Sequence, residues 1–193
     1  MENQAILSAL AKIDCQKETK VLFGSIFTKY QFKKKYTLEN PKHGKRPIFY
    51  LATGILHLHY LENKGKTNSR TLRFFKPGSF FTLPDATSKG LEAFQLTTLT
   101  DCSVYVSDYD QVEHLYQTDQ EIAKIILELQ DQWNLETNQE LALLRIPTSD
   151  RYRIFFEQMG IYRLHIPQKD LASYLSISSK HLGRLQKDYL TNK

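Results

Sequence analysis

The spacing of apolar residues changes twice along the chain, and each change marks a change in the kind of structure predicted. At the start, Ile6, Leu7, Leu10 and Ile13 are spaced as on a short amphipathic helix. From about residue 27 to residue 106 the apolar residues come in short runs instead, among them 48–51, 55–60, 71–75, 94–97 and 102–106. These runs are rich in aromatic and β-branched side chains, which suit a pleated, half-buried surface. Turn residues separate them: Asn40-Pro41, Thr53-Gly54, Asn63-Lys64-Gly65, Pro77-Gly78 and Lys89-Gly90. Many short strands at this spacing predict an antiparallel barrel or sandwich, taken here as a β-barrel of the jelly-roll kind. Past Ser107 the period becomes helical. Asp108 is placed to cap a short helix running through Tyr116, and a long helix over about 119–145 follows.

The long helix carries one stripe, Ile122, Ile126, Leu129, Trp133, Thr137, Leu141 and Leu144, which the acids Glu121, Glu128, Asp131 and Glu136 largely avoid. A stripe of that length needs a surface to cover it. Packing on the barrel is one solution; pairing with the same helix of a second chain is the other, and its continuity over several heptads points to a homodimer through Ile122, Ile126, Leu129, Trp133 and Leu141. Pro147 stops the helix, Thr148 or Ser149 caps another, and Gly160 closes that one.

The last fifty residues hold the most informative pattern. Pro167 opens a helix over 168–175 with Leu171, Ala172 and Leu175 on one side; Ser176-Ile177-Ser178 breaks it; Ser178 then caps a second helix from Ser179 to about Tyr189, with Leu182 and Leu185 turned inward. Apolar positions 171, 175, 177, 182 and 185, with a small residue at the crossing, form the frame of a helix-turn-helix. Position 176 should adopt a positive φ, at a cost of up to about 1 kcal/mol for Ser relative to Gly. Outside the frame lie Ser179, Lys180, His181, Arg184 and Lys187, a face free of acid until Asp188. Such a face suits double-stranded DNA. Arg184 can donate two hydrogen bonds to a guanine edge, Ser178 and Ser179 with the free amides of the helix start can hold a phosphate, His181 can meet base or backbone, and Lys187 meets phosphate.

Charge adds to this picture. The net charge is +5, and it is unevenly spread: residues 1–107 hold 16 Lys+Arg against 8 Asp+Glu, residues 108–145 hold 2 against 9, and residues 146–193 hold 8 against 4. An acidic middle separates two basic ends. No apolar run is long enough to cross a bilayer and the first residues do not form an export signal, so the expectation is a cytoplasmic protein without a membrane partner. Two cysteines, Cys15 and Cys102, are too few to hold an iron–sulfur cluster or a structural zinc alone, and are expected as buried thiols. Neither a cofactor nor a metal is expected.

The order of barrel, long helix and helix-turn-helix, with the stretches 168–175 and 178–184, resembles the cyclic-AMP receptor/fumarate–nitrate regulator (Crp/Fnr) family over nearly the whole chain, most closely its short Bacteroides-type members. The resemblance implies a fold of an N-terminal cyclic-nucleotide-binding-like barrel with a dimerising helix in residues 1–145 and a DNA-binding domain in 146–193. It implies a sequence-specific transcription regulator, not an enzyme, acting as a homodimer on a roughly palindromic operator, with base reading and positioning on Ser179, Lys180 and Arg184. An effector of unspecified chemistry would bind the barrel. The nucleotide site departs from the family pattern: Ser79 follows Gly78 where Glu is usual, and the phosphate-binding Arg falls near Glu92, with Lys89 the nearest cation. A carboxylate facing a buried phosphate is repulsive, so cyclic AMP is not expected to bind.

The competing reading is a cupin-like metal-binding barrel or enzyme using His57 and His59, which share one strand face at i and i+2. The pattern is incomplete. Glu62 follows the second His too closely for the expected carboxylate, and no third His lies near Pro77-Gly78. No other catalytic constellation is present.

Overall fold

The structure is a computed structural model that describes residues 3–38, 46–61, 69–83 and 94–191. The turns at Asn40-Pro41, Asn63-Lys64-Gly65 and Lys89-Gly90, and the site-pattern residues Glu62 and Glu92, lie outside the described residues. Helix α1 (Gln4–Ala9) runs into a 3-10 turn (Leu10–Lys12) and is followed by α2 (Lys17–Ser25). The sequence reading has no counterpart for α2, whose inward residues, Thr19, Phe23 and Gly24, include only one large apolar side chain.

Strands β1 (Phe27–Phe32), β2 (Thr37–Leu38), β3 (Phe49–Thr53), β4 (Leu56–Leu61), β5 (Ser69–Phe75), β6 (Phe80–Phe81), β7 (Phe94–Thr98) and β8 (Cys102–Ser107) follow. Among the described residues they form two four-stranded antiparallel sheets, ordered β1-β8-β3-β6 and β2-β7-β4-β5, in keeping with the expected jelly-roll class. The inner faces meet over Leu51, Leu56, Leu96 and Val104, all fully buried, with Phe75 and Phe81 stacked at 4.0 Å. Burying each such side chain contributes roughly 1.5–3 kcal/mol. Gly54 turns β3 into β4 with φ +90°, and a Cβ there would collide with the Asp101 carbonyl oxygen and with Cys102. This turn therefore requires Gly.

Four helices follow: α3 (Tyr109–Thr118), α4 (Gln120–Leu143), α5 (Thr148–Met159) and, after a 3-10 segment (Gly160–His165), α6 (Gln168–Tyr174); α7 (Ser179–Thr191) closes the described chain. Asp108 caps α3 by accepting from Gln111 N at 2.9 Å, as its position predicts. Asp119 caps α4 through Glu121 N and Ile122 N, both at 3.0 Å. At 24 residues, α4 is about 36 Å long.

Two further cores lie outside the sandwich. One joins α1, α2 and the first half of α4 to the outer side of the first sheet, around Phe23, Phe27, Tyr50, Tyr105, Ile122 and Ile125. The other joins the outer side of the second sheet, through Ile55, Phe74 and Leu99, to Phe155, Leu171, Leu175 and Leu182 of the C-terminal helices. The C-terminal unit is thus docked onto the sheet.

Within the subunit the stripe on α4 is fully covered only at its start and becomes more exposed along the helix. Ile122 has 0% exposure and cannot meet a partner chain; Ile126 and Leu129 pack on the first outer core, and Trp133 stacks on Phe75 at 6.0 Å. Leu141 is 57% exposed, and Leu127 and Leu135 are also exposed. The reason is geometric: a helix beside a curved sandwich presents its most apolar arc to the nearest apolar surface, which is its own. Of the thiols, Cys102 is buried and Cys15 only half-buried; both are free.

Candidate nucleic-acid interface

The interface is built on the turn between α6 and α7. Ser176 has φ +57°, the left-handed conformation required to end α6, and the amide of Ser176 donates to Ser173 O (3.0 Å) while that of Ile177 donates to Ala172 O (2.9 Å). These paired bonds are a Schellman closure, which satisfies two carbonyls at the helix end. Ser178 begins α7 by accepting from His181 N at 3.2 Å. Leu182 is fully buried against Leu171, Ala172 and Leu175, with Ile177 and Leu185 packed alongside, so the predicted apolar frame is assembled. Behind it, Tyr189 meets Phe156 at 4.8 Å and Tyr152 at 5.6 Å, and Arg163 lies over Phe156 at 3.7 Å.

Turning Leu182 inward directs the opposite side of α7 to solvent. Ser178, Ser179, Lys180, His181, Arg184 and Lys187 are all exposed, together with Gly183. Among the described residues Lys180, Arg184 and Lys187 make no ion pair, and a Cβ at Gly183 would meet nothing. The structure therefore brings all six predicted residues onto one unobstructed cationic surface at the start and middle of one helix. Phosphate and base edges are recognised by donors of this kind.

The sheet holds α6 through specific contacts that periodicity in the sequence could not reveal. Thr71 N donates to Ser173 Oγ at 3.0 Å; Phe74 packs on Tyr174 (5.5 Å) and Phe155 (6.0 Å); His57 Nδ1 lies 4.0 Å from Asp170 Oδ2. His57 and His59 do share a face, their rings 4.6 Å apart, but each Nε2 is occupied, by Thr71 Oγ1 at 2.9 Å and by Gln95 Oε1 at 3.2 Å. Burial, with His59 adding to it, pushes the His57 pKa down to about 3. Among the described residues no group of three or more metal-ligating side chains gathers there or elsewhere.

Two neighbouring features complete the surroundings. Burial drives the Tyr174 hydroxyl up to about 12. Ser79, the residue at the altered nucleotide-site motif, borders a 250 Å³ hollow shared with Arg73, Lys76, Glu136 and Glu140.

The two-sheet unit, long helix and docked helix-turn-helix are similar in fold to solved structures whose names include Crp/Fnr regulators and cyclic nucleotide-binding domain proteins. Among solved structures, FixK2 from Bradyrhizobium japonicum superposes with a TM-score of 0.69 at 17% identity, over 86% of this chain and 86% of that one. A cyclic nucleotide-binding domain containing protein from Listeria monocytogenes gives 0.68 at 14% identity, over 100% and 92%. A chain from Eubacterium rectale assigned to the crp/fnr family of transcriptional regulators gives 0.66 at 13%, over 93% and 85%. At these identities the likeness is one of fold. No protein-family model matches the chain, and no curated protein matches it by sequence. No helix among the described residues is long and apolar enough to cross a membrane.

Proposed function

We propose that this chain is a sequence-specific DNA-binding transcription regulator of the Crp/Fnr type, acting in the cytoplasm as a homodimer. The observation that carries the proposal is the exposed face of α7, where Ser178, Ser179, Lys180, His181, Arg184 and Lys187 stand free while Leu182 anchors the same helix to α6. Arg184 reads a guanine edge, Ser178, Ser179 and the first amides of α7 seat a phosphate, and Lys187 adds a second phosphate contact. Two chains related by a two-fold axis would place their helices in successive major grooves about 34 Å apart, on a roughly palindromic operator. Of the expected interface residues, exposed Leu141 and half-buried Ile126, Leu129 and Trp133 remain available for that contact, with Leu127 and Leu135 exposed beside them. In this reading the chain divides at the link between α4 and α5, into residues 1–145 and 146–193.

Cyclic AMP is not the effector on this reading. In the sequence Ser79 replaces the usual carboxylate and the cation position falls near Glu92, while Glu136 and Glu140 border the hollow beside Ser79. The cupin reading is disfavoured because the Nε2 atoms of the two histidines are turned to Thr71 and Gln95, and no third metal-ligating side chain joins them among the described residues.

The test is selection of bound duplexes from a random pool, followed by footprinting of variants. Arg184→Ala should lose discrimination at one base pair per half-site, worth about 1–3 kcal/mol, whereas Lys187→Ala should weaken all sequences alike and flatten the salt dependence. Wild-type footprints from both variants would refute the assignment of α7.

A further inference from the structure

The described residues include five glycines, Gly24, Gly54, Gly78, Gly160 and Gly183, and four of them have a reason inside the subunit. Gly54, Gly78 and Gly160 hold positive φ angles. Gly24 is buried where α2 meets α1, with its Cβ site 3.5 Å from Leu7 Cδ2. Gly183 has neither reason. Its φ is not in the left-handed region, it lies within the 13-residue helix α7, it is exposed, and a Cβ built on it would meet no atom within 4 Å. Glycine loses more backbone freedom on folding than any other residue and packs nothing, so alanine would serve the helix better at this point.

The neighbours of Gly183 on α7 supply a reason outside the subunit. Residues three and four apart share a helix face, so Gly183 is flanked by Ser179, Lys180 and Lys187, with Arg184 next to it. The cations are long and exposed, and the glycine among them leaves a notch floored by helix backbone. Ser179 and Lys187, both assigned to phosphate in the proposed interface, lie on opposite sides of Gly183, each about 6 Å away along the helix axis. A DNA strand that meets both passes over the notch.

We propose that one strand of a bound duplex packs directly on the backbone of α7 at Gly183, and that the missing side chain sets how closely the helix approaches. Close approach of backbone to a ligand is a use of glycine that offsets its cost in a helix. The inference rests on the DNA-binding reading of α7 and adds to it a residue whose role is steric, with no side-chain donor.

The test uses the full chain and, as the probe, a duplex that the wild-type protein recovers from a random pool. Gly183→Ala should raise the Tm by about 2–4 °C, because alanine favours the helix. The same change should weaken binding to the selected duplex about tenfold, the scale of one methyl group forced into a packed contact. Leucine is also a better helix former than glycine, so Gly183→Leu should keep the native near-ultraviolet circular dichroism while weakening binding at least about a hundredfold. A structural role for the glycine predicts the opposite sign in the Tm. A lower Tm in Gly183→Ala, or wild-type affinity in either variant, would overturn the proposal and leave the regulator reading standing on the wild-type footprint. Recovery of no duplex by the wild-type protein would remove the regulator reading and this inference with it.

Discussion

Glu140→Leu should destabilise this protein far more than Arg73→Met, although the two side chains form one ion pair. Arg73 reaches from β5 to α4: its Nε and Nη2 both donate to Glu140 Oε2, at 2.7 and 2.6 Å, Nη2 also reaches Thr137 Oγ1 at 3.2 Å, and the guanidinium lies 4.2 Å from the Trp133 ring. The side chains are unequally buried, 8% exposed for Arg73 and 32% for Glu140. Removing the acid strands a buried cation with only Glu136, 3.8 Å away, as a counter-ion. That should cost about 3–5 kcal/mol. Removing the cation leaves a carboxylate that can turn to water, so the loss should be about 1–2 kcal/mol, much of it the contact with Trp133.

Burial pushes the Glu140 carboxyl up even though Arg73 beside it pulls the other way, which shows that desolvation already offsets much of the pairing. The double variant Arg73→Met/Glu140→Leu should therefore lie within about 2 kcal/mol of wild type, far above the sum of the singles. Urea unfolding followed by Trp133, the sole tryptophan, reads this contact directly. For a chain of this length the Glu140→Leu loss corresponds to a Tm lower by roughly 10 °C. Equal losses from the two single variants, or additivity in the double, would refute the reasoning.

Other perturbations test the interface and its docking. Ser176→Gly relieves a left-handed backbone that costs a side chain about 1–2 kcal/mol, partly offset by the greater freedom of Gly in the unfolded chain, so it should stabilise by about 0.5–1 kcal/mol and raise the Tm a few degrees; an unchanged or lower Tm would contradict the strain at φ +57°. Ser178→Ala removes the cap on α7 and should cost about 1 kcal/mol in chemical denaturation while weakening DNA binding through the frayed helix start. His57 has a folded pKa of about 3, below its ordinary value, so the native state binds fewer protons than the unfolded one: its contribution is intact above about pH 6.5 and is lost as pH falls toward 3, at up to about 1.4 kcal/mol per unit. His57→Gln should accordingly flatten the acid limb of stability against pH, and NMR of the wild type should show a His57 ring that does not titrate between pH 5 and 8.

The chain by itself determined whatever depends on local period and local chemistry. The strand runs, the cap at Asp108, the long helix and the frame of Leu171, Ala172, Leu175, Ile177, Leu182 and Leu185 could be read because each rests on residues within a few turns of one another, as could the positive φ at Ser176. The residues facing outward from α7 followed, since fixing the buried side of a helix fixes the exposed one. What covers each apolar surface was not legible. Periodicity shows that Ile122, Ile126 and Trp133 share a stripe but not whether its cover is a second chain or the chain's own sheets, and only their three-dimensional positions put Ile122 inside the subunit. The same holds for α2, for the strand order within the two sheets, for the pairing of Arg73 with Glu140, and for His57 lying beside Asp170: each joins residues far apart in the chain, and the free energy of such contacts resides in the relative placement of elements, which no local pattern encodes.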